Sequence, residues 1–226
     1  FLTEDSAKNN LAKEGIAGEK IHFVGNVMID TLLHNLADAI PAKTSLSSMQ
    51  LDSALGENGR YGVVTLHRPS NVDDPAVLRG LLEVLARVSE RTPLLFPIHP
   101  RTEACIESAG LHAILEKAAI TAIPPQGYLE MLGLMKDAQV VLTDSGGIQE
   151  ETTALGVPCI TLRDNTERPI TVEQGTNTIV GTDPAKIMAC YEDVVLTGGK
   201  VGRVPDLWDG NAASRIVQIM HQWASG

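Results

Sequence analysis

From residue 61 to residue 181 the sequence repeats one beat: a short β-branched apolar run, a polar turn, then a segment with helical spacing. The runs are YGVVTL (61–66), PLLFPI (93–98), AAITAI (118–123), QVVLT (139–143), VPCITL (157–162) and NTIVG (177–181). Helical segments are expected at 75–91, 102–117 (broken near Gly110), 127–136 and 147–155, with a short helix before residue 177. In the first of these, Val77, Leu78, Leu81, Leu82 and Leu85 recur at helical spacing. Strands that alternate with helices are βαβ units. Strands that are apolar throughout need cover on both faces, as in a parallel sheet. The expected fold is therefore α/β, a Rossmann-like doubly wound sheet of about six parallel strands.

The flanks are less regular. Residues 3–14 read as a short helix that Thr3 or Ser6 can cap and Gly15 ends. IHFV (21–24) reads as a strand, 27–39 as a helix closed by Pro41, and 43–60 as a polar linker. Residues 184–195 and 211–223 read as helices. The chain opens without Met, at FLTEDSAKNN, as if cut from something longer.

Totals exclude some classes. A net charge of −10 argues against a non-specific nucleic-acid binder, which needs a basic footprint, but leaves room for a locally positive anion site. Cys105, Cys159 and Cys190 are widely spaced and odd in number, the pattern of free thiols in a reducing compartment. No apolar run approaches the roughly 18 residues of a membrane span. No secretory signal opens the chain, so a cytoplasmic location is expected.

In parallel sheets ligands gather at the carboxyl ends of the strands. There stand His67-Arg68-Pro69-Ser70-Asn71, His99-Pro100-Arg101-Thr102, Pro124-Pro125-Gln126-Gly127-Tyr128, Asp144-Ser145-Gly146-Gly147 and Arg163 to Pro169. Five polar loops on one edge make a binding face. The fourth is the most specific. Glycines let the backbone approach a ligand closely or adopt positive φ. A helix opening at about Gly147 directs free N–H groups and its positive dipole end at that ligand, which makes a phosphate seat. The plainer alternative is that Asp144 or Ser145 caps the helix and the glycines serve packing. Glu150 and Glu151 follow in the expected first turn. Consecutive helical residues point about 100° apart, so only one of the two faces a ligand easily. Other chemistries lack their signatures: there is no GxGxxG after a strand, no P-loop, no HExxH and no GxSxG elbow.

These residues carry a resemblance. VGNVMIDTLL, TLHRPSNVDDP, FPIHPRT, the run from PPQGYLEM through DSGGIQEE and RDNTERP to TNTIVGT, and WDGNAASRIV are collinear and cover most of the chain. In these segments the sequence resembles the non-hydrolysing UDP-N-acetylglucosamine 2-epimerases. The resemblance implies the C-terminal half of a GT-B-like two-domain fold. Residues 1–20 would be a remnant of the N-terminal domain, and 21–226 a UDP-binding Rossmann-like domain with a C-terminal helix. It further implies that Ser145, Gly146 and Gly147 hold the diphosphate and that Glu151 binds the ribose hydroxyls. Arg168 matches the family's binding arginine, Gln126 and Met131 the surroundings of the uracil, and His67 a catalytic histidine facing the substrate. Arg68 and His99 match a second, regulatory UDP-sugar site. Ser70 departs from the family's HRxEN motif, which has Glu there, and this puts the support of His67 in question. The implied ligands are UDP-GlcNAc and UDP-ManNAc, with the missing N-terminal domain as partner and a homodimer when intact. No metal, cofactor, nucleic acid or membrane is implied. The proton-moving carboxylates would lie mainly in the absent half, so this chain is expected to bind UDP weakly and not to epimerise alone. Two further readings remain: a GT-B glycosyltransferase domain, and a non-catalytic UDP-sugar-binding module.

Overall fold

The computed structural model describes residues 1–225. In chain order the helices and strands are α1 (Ala7–Lys13), α2 (Val27–Asn35), α3 (Ala42–Ser48), β1 (Gly62–Thr65), α4 (Pro69–Val72), α5 (Pro75–Ser89), β2 (Leu94–Pro97), α6 (Pro100–Ser108), α7 (His112–Glu116), β3 (Ile120–Ile123), α8 (Tyr128–Lys136), β4 (Val140–Thr143), α9 (Gly146–Leu155), β5 (Cys159–Thr161), α10 (Pro169–Glu173), β6 (Asn177–Ile179), α11 (Pro184–Thr197) and α12 (Ala212–Ser225). They fall into two compact units. Residues Ala39–Arg203 form one; Phe1–Asp38 and the segment from Val204 form the other.

The larger unit is built on a six-stranded sheet of order β3-β2-β1-β4-β5-β6, every pairing parallel. Its strands are short, and alternate residues serve opposite faces, as the pleat requires. Val63, Leu95 and Val141 pack on one side with Leu46, Leu134 and Met135. Val64, Phe96 and Leu142 pack on the other with the leucines of α5 and with Tyr191. Each such side chain, fully buried, contributes about 1.5–3 kcal/mol. Helix α5 starts at an Asp74 side chain that accepts from the Ala76 N–H at 2.8 Å, with Pro75 as its first residue. The strand order reverses between β1 and β4, and at such a switch point a crevice opens beyond the carboxyl ends.

Some local expectations change. Residues 43–60 are not an open linker: α3 crosses this stretch because Leu46 is an apolar anchor, fully buried. The break expected near Gly110 stands: α6 and α7 are divided there, with Gly110 at φ +66°. IHFV makes no sheet strand; Phe23 forms a single parallel bridge with Leu2. Ser6 flanks α1 without a side-chain cap. In the smaller unit, Asp30 on α2 instead caps α12, accepting from the N–H groups of Ala212 (3.1 Å) and Ala213 (2.7 Å).

Candidate functional site

The switch point holds a buried acid. Thr65 and Thr143 end the neighbouring strands β1 and β4 in register, their hydroxyls 2.6 Å apart. The next residue on β4 is Asp144, which has no exposed surface. Its Oδ2 accepts from the main-chain N–H groups of His67 (3.0 Å) and Arg68 (2.9 Å) and from Asn71 Nδ2 (3.2 Å). Its Oδ1 lies 2.9 Å from His67 Nδ1. Burial alone pushes this carboxyl up, but the hydrogen bonds from His67 and Arg68 outweigh it and hold Asp144 below its usual range. Asp144 is thus not a helix cap. It is a pin that joins the β4 end to the whole turn after β1. With Nδ1–H given to Asp144, a neutral His67 presents Nε2 as its accepting atom. Ser70 does not touch Asp144 or His67 by hydrogen bond; its hydroxyl donates to Asn71 Oδ1 at 3.4 Å. The departure at position 70 therefore leaves the anchor of His67 in place.

The turn after β4 is free to meet a ligand. Ser145 sits at the N-cap of α9 in extended conformation, and its side chain makes no cap hydrogen bond. Its N–H is directed to Thr143 Oγ1 at 2.9 Å. Gly146 and Gly147 are the first two helical residues and neither has positive φ. Conformational freedom therefore does not require glycine here. A Cβ on Gly147 would meet nothing within 4 Å, and one on Gly146 only Glu167 Oε2 at 3.6 Å. Protein packing does not demand glycine either. What glycine leaves open is the space in front of the helix N-terminus, where an anion is favoured.

The two acids of α9 stand in its second turn, not its first, because the helix begins at Gly146. Both are buried. Glu150 is no solvated helix-start charge: its Oε1 pairs with Arg168 Nε at 2.9 Å. Glu151 is raised to about 7, first by burial, then by the charge of Glu150, while a hydrogen bond from Tyr128 acts the other way. Tyr128 opens α8, next to Gln126.

A groove of about 190 Å³ brings together His67, His99, Gln126 and Met131 at the ends of β1, β2 and β3. The His67 and His99 rings are 5.9 Å apart. Arg68 lines a different cavity, of about 450 Å³, with Arg163, Asn71 and Asn165. Arg163 forms a bidentate pair with Glu167 (2.8 and 2.9 Å), and Arg68 approaches the same carboxylate at 3.7 Å. That contact with Arg163 above all holds Glu167 down at about 2. Arg68 and His99, which the sequence grouped, line different cavities, His99 beside His67. Ser145, Glu151 and Arg168 lie outside the lining of both cavities, Ser145 at the N-cap of α9, Glu151 within it and Arg168 just before α10, paired to α9 through Glu150. Sequence reasoning missed Asp144 as a pin, Asn71 as its partner, and Tyr128 beside Glu151. The available signal was an acid placed directly after the VVLT strand. Among the described residues no cluster of three His, Cys, Asp or Glu could hold a metal ion, and no helix is long and apolar enough to cross a membrane.

Comparison with known proteins identifies the family. A family model described as UDP-N-acetylglucosamine 2-epimerase matches residues 1–221. The UDP-N-acetylglucosamine 2-epimerase of Methanococcus maripaludis is 40% identical over 97% of this chain. A UDP-2,3-diacetamido-2,3-dideoxy-D-glucuronate 2-epimerase of Pseudomonas aeruginosa is 39% identical over 97% of it. The crystal structure of the Methanocaldococcus jannaschii UDP-GlcNAc 2-epimerase in complex with UDP-GlcNAc and UDP superposes with a TM-score of 0.84, at 39% identity over 98% of this chain. The chain spans about 60% of the length of the first of these relatives and of that crystal structure. With a six-stranded parallel sheet, a glycine-opened helix at its switch point and this similarity over nearly its whole length, the chain belongs to the UDP-N-acetylglucosamine 2-epimerase family.

Proposed function

We propose that this chain is the UDP-binding part of an enzyme that interconverts UDP-N-acetylglucosamine and UDP-N-acetylmannosamine at C2. The observation that carries the reading is the start of α9: an uncapped helix N-terminus behind two glycines that neither packing nor φ requires. The diphosphate sits on the N–H groups of Gly146 and Gly147 and takes a hydrogen bond from the Ser145 hydroxyl, which caps nothing. Glu151 accepts from the ribose hydroxyls, Arg168 adds positive charge, and Gln126 and Met131 flank the uracil. His67, held through Nδ1 by Asp144, faces the sugar. In the complete enzyme the C2 proton is removed, the C1–O bond to UDP breaks to leave a glycal, and UDP then re-adds as C2 regains a proton on the other face. Such transfers need paired titratable groups, and the remaining acids belong to the part of the longer relatives that this chain does not span. Arg68 and His99 contribute to regulation by a second UDP-sugar, and the complete protein is a homodimer.

The near-equal identity to the diacetamido-glucuronate enzyme supports a second reading, in which the sugar carries those substituents. A nucleotide-holding half reads the UDP that both substrates share, so either sugar suits the residues described above. Calorimetric titration of UDP into the chain and into Ser145→Ala, Glu151→Ala and Arg168→Ala tests the site. Each loss of a charged hydrogen-bond partner costs roughly 1.5–3 kcal/mol, about ten- to a hundredfold in affinity. Parent-like affinity in all three variants means that the site is misplaced. Turnover of UDP-GlcNAc by the chain alone would overturn the division of labour.

A further inference from the structure

Arg168 is held from three sides. Its N–H donates to Thr166 Oγ1 at 2.9 Å, its carbonyl accepts from Thr171 Oγ1 at 2.7 Å, and its guanidinium meets Glu150. Both threonines lead back to one pair of fully buried amides. Thr166 Oγ1 donates to Gln149 Oε1 at 2.5 Å. Asn177 Nδ2 reaches the same Gln149 oxygen at 3.2 Å and Thr171 Oγ1 at 3.1 Å. Asn177 is itself fixed to the sheet, its Oδ1 accepting from Thr161 Oγ1 at 2.6 Å.

Buried amides are a costly way to fill a core, because apolar groups of the same shape would need no partners. Stability alone does not account for that choice; fixed geometry does, since a hydrogen-bonded amide specifies direction as apolar contact cannot. Gln149 belongs to α9, the helix whose first residues face the ligand. That helix therefore holds the Arg168 main chain through Gln149 and the Arg168 side chain through Glu150.

We propose that Gln149, backed by Asn177, is a positioning residue of the UDP site: it fixes the 166–168 main chain against α9, so that the Arg168 guanidinium is already placed when the nucleotide arrives. The inference rests on the reading of Arg168 given under the proposed function. A double-mutant cycle on UDP affinity, followed by NMR titration of the chain, tests it. The variants are Thr166→Val, which is isosteric and cuts the clasp, Gln149→Met, Arg168→Ala, and each of the first two combined with the third. Thr166→Val and Gln149→Met are expected to weaken UDP about five- to tenfold when Arg168 is present and less than about twofold when it is Ala. A merely structural role costs the same in both backgrounds, and that result, or no loss at all, overturns the proposal. If Arg168→Ala itself binds UDP like the parent, the reading of the arginine fails. If it weakens binding while the cycle shows no coupling, only the positioning role falls. Should Gln149→Met not fold, the Thr166→Val arm decides alone.

Discussion

Replacing Asp144 by Asn tests the joint on which the site is built. The side chain has no exposed surface and collects four donors: two main-chain N–H groups, the Asn71 amide and His67 Nδ1. Asparagine keeps the shape but one oxygen becomes an NH2. The least costly placement leaves the oxygen toward His67 N, Arg68 N and Asn71. The NH2 then faces His67 Nδ1, which must become the acceptor. Three charge-assisted hydrogen bonds become neutral ones, each losing about 0.5–1 kcal/mol, so urea denaturation at neutral pH should show a loss of about 1.5–3 kcal/mol. His67 is forced into the tautomer with its proton on Nε2, which 15N imidazole shifts report. The pH dependence has a definite sign. The folded pKa is depressed, so the parent's extra stability is present above the unfolded carboxylate pKa and is lost as pH falls through the folded one. The gap between parent and variant should therefore close in acid. An Asp144→Asn protein with parent stability and unchanged His67 shifts would refute the pin.

The sign is opposite for Glu151, whose folded pKa is raised to about 7. Its contribution to stability is full below the unfolded pKa and is lost as pH rises from about 4.5 through about 7. Glu151→Gln should therefore gain stability relative to the parent across that window, on the order of 2–3 kcal/mol, in denaturation curves taken at each pH. The parent's UDP affinity should fall as pH drops below about 7, because a protonated Glu151 is a poorer acceptor for ribose hydroxyls; a flat affinity profile contradicts that role. Gly133→Ala tests the packing of α8, since its Cβ would stand 1.7 Å from the Ile40 carbonyl oxygen. A destabilisation of about 1–3 kcal/mol is expected in urea, and a variant as stable as the parent contradicts the close approach.

The sheet was legible because its signal is local and periodic. Six apolar runs alternating with helical segments specify a parallel sheet, and the polar residues directly after them mark its carboxyl edge. What the sequence hid depends on burial. Asp144 reads as an ordinary helix cap until the neighbouring β1 turn is seen to close over it. Glu150 and Glu151 differ in direction along a helix, as expected, yet both are buried, because α9 lies between α8 and the 166–168 segment that brings Arg168 to Glu150. The stretch 43–60 looked like a linker because its polar residues outnumber its anchors, and one of those anchors, Leu46, joins the core. Gly146 and Gly147 open α9 without positive φ, so space, not backbone freedom, is what they supply.

The central claim is that the start of α9 is the seat of the UDP diphosphate, and the UDP affinity of Gly147→Ala tests it most directly. Within the protein the added methyl meets nothing within 4 Å. Folding stability should be unchanged or raised by up to about 1 kcal/mol, as Ala is the better helix former. A diphosphate in contact with this backbone would meet that methyl, at a cost of about 1–3 kcal/mol of binding, roughly five- to a hundredfold in affinity. A folded Gly147→Ala chain that binds UDP at least about fivefold more weakly than the parent is the predicted result. Equal affinity in parent and variant would place the nucleotide elsewhere and contradict the account.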